Sequence, residues 1–166
     1  MSTLKVDTIQ GKTTAGTVAM PSGSVVQTTF HKFTTNTTLD SNSDIDLGGS
    51  SLTFTPKFAS SLLILSCSVS INLYRSNINQ GCTINFNVDG SNIDYTGADY
   101  EMLVSLPSGS VNDYVRLHKE VSMDASNTNA KTVKLTGRPY AIGSSGQAGI
   151  NSSYFTSSIK IQEIAQ

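Results

Sequence analysis

Charge is scarce in this chain. Lys, Arg, Asp and Glu make up 14% of its 166 residues and nearly cancel, leaving a formal net charge of −1. The few cations are scattered, so there is no basic field to draw in nucleic acid or an anionic lipid surface. Long apolar runs are missing as well. Nothing approaches the roughly 18 consecutive apolar residues of a membrane span, and no signal-peptide core opens the chain. The expectation is a protein without membrane insertion, made and kept in the cytoplasm of its host cell.

Cysteine is limited to Cys67 and Cys82. If residues 62–73 and 82–88 pair as a hairpin, Cys82 lies near Leu73 and Cys67 is about 20 Å away at about 3.3 Å per residue. A disulfide needs Cα atoms within about 7 Å. The spacing therefore predicts two buried thiols.

Ser, Thr, Asn and 13 Gly fill the space left by charge, beside a hydrophobic fraction of 37%. Short polar side chains compete for backbone hydrogen bonds and disfavour helices, whereas strands joined by many turns suit this mix. The length corresponds to about one domain, which buries roughly two-thirds of its surface on folding.

The strongest element is Leu62 to Leu73. After four apolar residues, Leu65, Cys67, Val69, Ile71 and Leu73 alternate with Ser66, Ser68, Ser70 and Asn72, the signature of a strand with one dry and one wet face. Leu62 and Ile64 fall on the face opposite the core. A first strand is expected at Val25–Phe33 with Phe30 and Phe33 as anchors, then a polar turn from Thr34 to Ser43. Short strands follow at Ile45–Leu47 and Ser51–Thr55, the latter ended by Pro56. Cys82–Val88 alternates again and closes at Asp89-Gly90, a type I′ hairpin signal, with Ile93 and Tyr95 on the return strand. Tyr100–Leu106 fits either a strand or one helical turn. Val111–Val121 reads as a strand, and the strand carrying Val133 and Leu135 breaks at Gly137-Arg138-Pro139. Gly143–Gly149 is an exposed loop. Tyr154–Ile164 ends the chain, with Phe155, Ile159 and Ile161 inward. Eight to ten short strands at this spacing predict an all-β fold, a β-sandwich or jelly roll over residues 27–166.

Residues 1–26 are different. Leu4, Val6, Ile9, Val18, Met20, Val25 and Val26 are their only sizeable apolar groups, too few to offset the entropy of ordering the segment alone. It needs a docking surface or sister chains.

Candidate chemistry is thin. Gly11-Lys12-Thr13 lacks the upstream Gly of a phosphate-binding loop, since that position is Val6. Asp40, Asn42, Asp44 and Asp46 alternate as calcium ligands do, but Ile45 and Ser51 stand where the calcium loop requires Gly and Glu; turn and capping roles fit better. His31 and His118 lie in strands, away from any nucleophile signature. Asp94 with Asp99 or Glu101 forms a carboxylate pair of the glycosidase type, though solvated loop residues are the simpler reading. Tyr95, Tyr100, Tyr114, Tyr140 and Tyr154 offer amphipathic contact to sugar or protein, against a role lining the sandwich or its interfaces. No cofactor, metal site or catalytic residue is expected.

The opening Ser2-Thr3-Leu4-Lys5-Val6-Asp7-Thr8-Ile9-Gln10, the stretch Val18-Ala19-Met20-Pro21-Ser22-Gly23-Ser24-Val25-Val26-Gln27 and the closing Ser158-Ile159-Lys160-Ile161-Gln162-Glu163-Ile164-Ala165 resemble a family of small structural proteins of tailed bacteriophages, especially those infecting marine and freshwater bacteria. The likeness covers the first thirty or so residues best, the core and last strands loosely, and the loops not at all. It implies a tail-fibre or virion-appendage protein with a trimeric jelly-roll head, similar in outline to complement C1q and tumour necrosis factor heads. Leu4, Val6, Ile9, Val18 and Met20 would attach it to other virion proteins, and Leu62 and Ile64 would lie between subunits. A host receptor or glycan would meet the loops carrying Asn77, Asn92, Tyr95, Asn127 and Ser145. A capsid decoration or head-fibre protein is the alternative within the family. A carbohydrate-binding or carbohydrate-processing module is the alternative from another class.

Overall fold

The computed structural model describes residues 21–40, 43–76, 80–93, 102–104, 110–139, 147–151 and 155–166. Within them the chain forms twelve strands and no helix. In order these are β1 (Val25–Phe33), β2 (Thr37–Leu39), β3 (Ile45–Asp46), β4 (Leu52–Phe54), β5 (Leu62–Ser76) and β6 (Gln80–Val88). They continue as β7 (Ser91–Asn92), β8 (Met102–Val104), β9 (Ser110–Asp124), β10 (Lys131–Pro139), β11 (Gln147–Ile150) and β12 (Ser157–Ile164). Every pairing among them is antiparallel.

The first sheet is built on β5. One edge of β5 is covered along its whole length by β9. A strand has two edges, so β12 (on Leu62–Ser68) and β11 (on Ile71–Tyr74) share the other, end to end. Beyond them lie β1 beside β12 and β2 beside β11. The second sheet is built on β6 and β10, with β3 and β4 outside β10 and β7 and β8 outside β6. Taking each pair of short strands as one position, the chain fills two four-position sheets, alternating between them except where β6 is followed by β7 and β8 in the same sheet, with the first strand beside the last. That is the double Greek key of a jelly roll.

One expected pairing is wrong. Leu62–Leu73 and Cys82–Val88 do not form a hairpin; they lie in opposite sheets. Partners distant in sequence, β9, β11 and β12, pair with β5 instead. Cys67 and Cys82 are both buried and both are thiols, but the separation inferred along a shared hairpin is not the arrangement that holds them.

The core is the space between the layers. Leu63, Leu65, Cys67, Val69, Ile71 and Leu73 of β5 are each at most 5% exposed, and they face Cys82, Ile84, Phe86 and Val88 of β6 with Val133 and Leu135 of β10. Burying one such Leu, Ile or Phe contributes about 1.5–3 kcal/mol, so this alternating pattern is the main source of the fold's stability. Phe33 is buried while Phe30 is 57% exposed. Three residues apart on a strand means opposite faces, so both cannot anchor the core as expected. Phe155 is also outside, because β12 begins only at Ser157 and its alternation does not extend back.

Three segments expected as turns or breaks contain strand residues. Thr34–Ser43 includes β2, Gln147–Gly149 belong to β11, and β10 continues through Gly137 to Pro139. At Gly137 an added Cβ would stand 2.9 Å from Ile84 Cδ1 and 3.0 Å from the Thr83 carbonyl oxygen. Here glycine allows close approach of β10 to β6 rather than breaking the strand. Met102–Val104 resolves as a strand, and Val25 and Val26, at the end of the 1–26 segment, belong to β1. Asp89 (φ 51°) and Gly90 (φ 91°) form the left-handed pair that a type I′ hairpin requires.

Candidate functional site

The outer face of the first sheet is the surface with the most to offer a partner. Cross-strand register sets its rows. One row runs Val25, Ile164, Leu62, Asp124; another runs Phe30, Lys160, Ser66, Glu120. Because directly opposed side chains stand within contact range, Val25, Ile164 and Leu62 make a continuous apolar stripe, with Ile64 next along β5. Val25 is 50% exposed, and Leu62, Ile64 and Ile164 are half-buried. Leu62, Ile64, Glu120, Val121 and Ser122 line a shallow depression of about 320 Å³ there. The two apolar residues that alternation placed opposite the core are therefore found on this face.

The far end of the same face is aromatic and cationic. The rings of Tyr114 and Phe155 meet at 5.3 Å between centroids, tilted by 44°. Beside them Arg116 lies back over β5, donating from Nη1 to Ser68 Oγ (2.9 Å) and from Nη2 to Ser70 Oγ (2.6 Å) and the Thr156 carbonyl (3.2 Å). Tyr114, Phe155, Arg116 and Ser70, with Ile71 and Val115, line a second depression of about 120 Å³.

Among the described residues β9 pairs only with β5 and is the sheet's long open edge. Its inward row, Val115, Leu117, Lys119 and Val121, contains a cation. Lys119 Nζ crosses the sandwich and donates to the Ile84 carbonyl at 2.9 Å. An inward-pointing charge on an edge strand resists pairing with a foreign strand.

The outer face of the second sheet is polar yet buried. Thr83, Asn85, Asn87 and Thr136 are each at most 7% exposed. Asp44 Oδ2 accepts from Asn92 Nδ2 (2.7 Å) and Asn85 Nδ2 (3.2 Å), and Arg138 Nε lies 3.7 Å from Asp44 Oδ1. Asn92 Oδ1 accepts in turn from Asn87 (2.8 Å) and Thr136 (3.3 Å). Two of the alternating acids are thus occupied, Asp44 by this network and Asp46 by Lys134 at 2.7 Å, while Asp40 is exposed. No group of three His, Cys, Asp or Glu that would hold a metal occurs among the described residues.

Sequence reasoning missed Glu163. It faces inward on β12 and is fully buried, beneath the connection from β4 to β5. Its Oε1 accepts from the Ser61 hydroxyl (2.6 Å) and the amides of Lys57 (2.8 Å) and Phe58 (2.9 Å), and its Oε2 from Gln27 Nε2 (2.6 Å). Burial alone would raise its pKa. The Ser61 hydroxyl, the two amides and Gln27 outweigh that and hold it below the usual glutamate value. The one available signal was parity, since Glu163 shares a face with Ile159 and Ile161.

Asn77, Tyr95 and Ser145 lie outside the described residues, as do Asn42, Asp94, Asp99, Glu101 and the attachment residues Leu4, Val6, Ile9, Val18 and Met20. Asn92 is committed to the Asp44 network. Asn127 is exposed in the turn after β9, where its Oδ1 accepts the Asn129 amide at 3.0 Å.

No family model and no curated protein matches the chain. Among solved structures, the VP2 subviral particle of infectious bursal disease virus aligns at 11% identity with a TM-score of 0.33, covering 86% of this chain and 39% of that one. A D431N mutant VP2 protein of the same virus, from derived T=1 particles, aligns at 11% identity with a TM-score of 0.32, covering 99% of this chain and 41% of that one. The chain spans about two-fifths of the length of these proteins. Its assignment as a jelly-roll β-sandwich rests on its own strand order.

Proposed function

We propose that this protein is a non-enzymatic structural component of a tailed-bacteriophage virion: a tail fibre or tail appendage whose jelly-roll head packs as a homotrimer through the outer face of its first sheet. The observation that carries the reading is the stripe of Val25, Ile164, Leu62 and Ile64 on the sheet face, with Phe30 57% exposed further along β1. Soluble monomers seldom present contiguous apolar surface of this kind without a partner for it. Lys119 guards the open edge, so the face is the more natural contact. The family resemblance of the first and last residues supplies the virion setting, with residues 1–26 attaching the head to neighbouring tail or capsid proteins after assembly in the host cytoplasm. Capsid decoration is the second location compatible with the same fold.

The mass in solution tests the packing. Light scattering should give three times 17.6 kDa; a folded monomer at tens of micromolar overturns the trimer. Electron microscopy of particles carrying a tagged copy tests the location. Density confined to the capsid shell would replace the tail assignment with decoration, and absence from particles would end the virion reading.

A further inference from the structure

We propose that the depression between Tyr114, Phe155 and Arg116 is a binding subsite for a single sugar ring that carries a carboxylate. The inference stands on this geometry and does not rest on the virion reading.

Two aromatic rings, 48% and 41% exposed, stand together at the end of the sheet face away from the apolar stripe. They form an apolar shelf with a wet rim, the surface that suits the C–H face of a pyranose, since Tyr adds a hydroxyl at its edge and costs little rotamer entropy on binding. Arg116 adjoins the shelf. A guanidinium has five N–H donors in a fixed fork; three point to Ser68, Ser70 and Thr156, which leaves two for a ligand. All three acceptors are neutral. Among the described residues no carboxylate lies within ion-pair distance of Arg116. Its charge is therefore held in place without a counter-ion among the described residues, where a ligand carboxylate gains a charge-assisted hydrogen bond.

Size and charge narrow the ligand further. At about 120 Å³ the depression is smaller than the roughly 300–1,000 Å³ of sites that enclose drug-sized ligands. It accepts one ring, such as the end of a chain, and binds it weakly. The single guanidinium matches a singly charged carboxylate. A dianionic phosphate calls for a second permanent cation beside the first. The next outward position on β9 is a histidine, His118, and the lysine of its row, Lys32, stands two strands beyond β5 with its Nζ over the Phe30 ring at 5.8 Å.

The test uses the full chain and protein-observed NMR titrations with methyl β-D-glucuronide, methyl β-D-glucoside and acetate. The glucuronide should perturb Tyr114 and Phe155 and bind at least tenfold more tightly than either the glucoside or acetate. Arg116→Gln should erase the preference for the glucuronide over the glucoside, Arg116→Lys should keep part of it, and Tyr114→Ala should weaken both sugars. Phe155→Ala provides a second route to the shelf if Tyr114→Ala fails to fold. Equal affinity for the two sugars, glucuronide binding unchanged in Arg116→Gln, or no saturable shift at tens of millimolar would each overturn the proposal. Methyl α-N-acetylneuraminide distinguishes the two sources of such a carboxylate: tighter binding than the glucuronide assigns the site to nonulosonic acids, and weaker binding assigns it to uronic acids.

Discussion

Replacing Glu163 by Gln removes one charge and changes the side-chain volume very little, so it isolates what the buried carboxylate does. In the native protein its two oxygens accept from the Lys57 and Phe58 amides, the Ser61 hydroxyl and Gln27 Nε2. A glutamine oxygen at the Oε1 position retains three of these donors as neutral bonds of about half the strength. Its NH2 then faces Gln27 Nε2, which must turn its amide and give up its 2.8 Å bond to the Thr55 carbonyl. Hydrogen bonds to a charged group contribute about 1.5–3 kcal/mol each, and a buried donor left unpaired costs about 1–3 kcal/mol. The relief from burying a charge offsets part of this loss. The expected net cost is about 2 kcal/mol at pH 7, or about 4–8 °C in Tm for a chain of this size.

The pH dependence gives the argument its sharper edge. The folded pKa of Glu163 lies below its ordinary value, which is about 4.3 when unfolded. Its contribution is therefore complete above that pH and is lost as the pH falls through the lower, folded pKa. Protonated Glu163 and the glutamine that replaces it should behave alike. Urea unfolding at one fixed protein concentration, at pH 7 and near pH 3, should show the gap between wild type and Glu163→Gln closing on acidification. A variant within about 0.5 kcal/mol of wild type at pH 7, or a gap that persists at low pH, refutes the reasoning.

Other consequences can be checked alongside it. Gly137→Ala places a Cβ 2.9 Å from Ile84 Cδ1 and 3.0 Å from a backbone oxygen, and should cost about 1–3 kcal/mol through overpacking, read by urea unfolding. Gly90→Ala meets open space, so only its left-handed backbone is penalised, by about 1–2 kcal/mol; the m-value should stay unchanged. Leu62→Lys with Ile64→Lys should convert the proposed trimer to monomer in light scattering while Tm moves by less than about 5 °C, because neither residue belongs to the core.

Features encoded over a few residues are legible in the chain itself. Alternation in Leu65–Leu73 and Cys82–Val88 identifies inward and outward faces correctly, since parity along a strand is a local property. The Asp89-Gly90 turn is legible for the same reason: two adjacent residues set its geometry. Parity also places Leu62 and Ile64 on the outer face that forms the apolar stripe. The errors arise where a local pattern is extended beyond its range. Phe30 and Phe33 lie three residues apart and so on opposite faces, and Phe155 precedes by two residues the strand that begins at Ser157.

What the amino-acid sequence determined by itself was therefore the all-β class, the faces of the long strands and the poverty of charge. Tertiary structure decided which strands are neighbours. Any two apolar, alternating strands of similar length can pair, and the hydrogen bonds of a sheet carry little identity, so β5 took β9 and β12 over the adjacent β6. That choice placed Glu163 under the β4–β5 connection, buried the Asn and Thr row of β6 and β10, and brought Tyr114, Arg116 and Phe155 to one end of a sheet. Each of these sites joins residues distant in sequence, and only the folded layers set the distance between them.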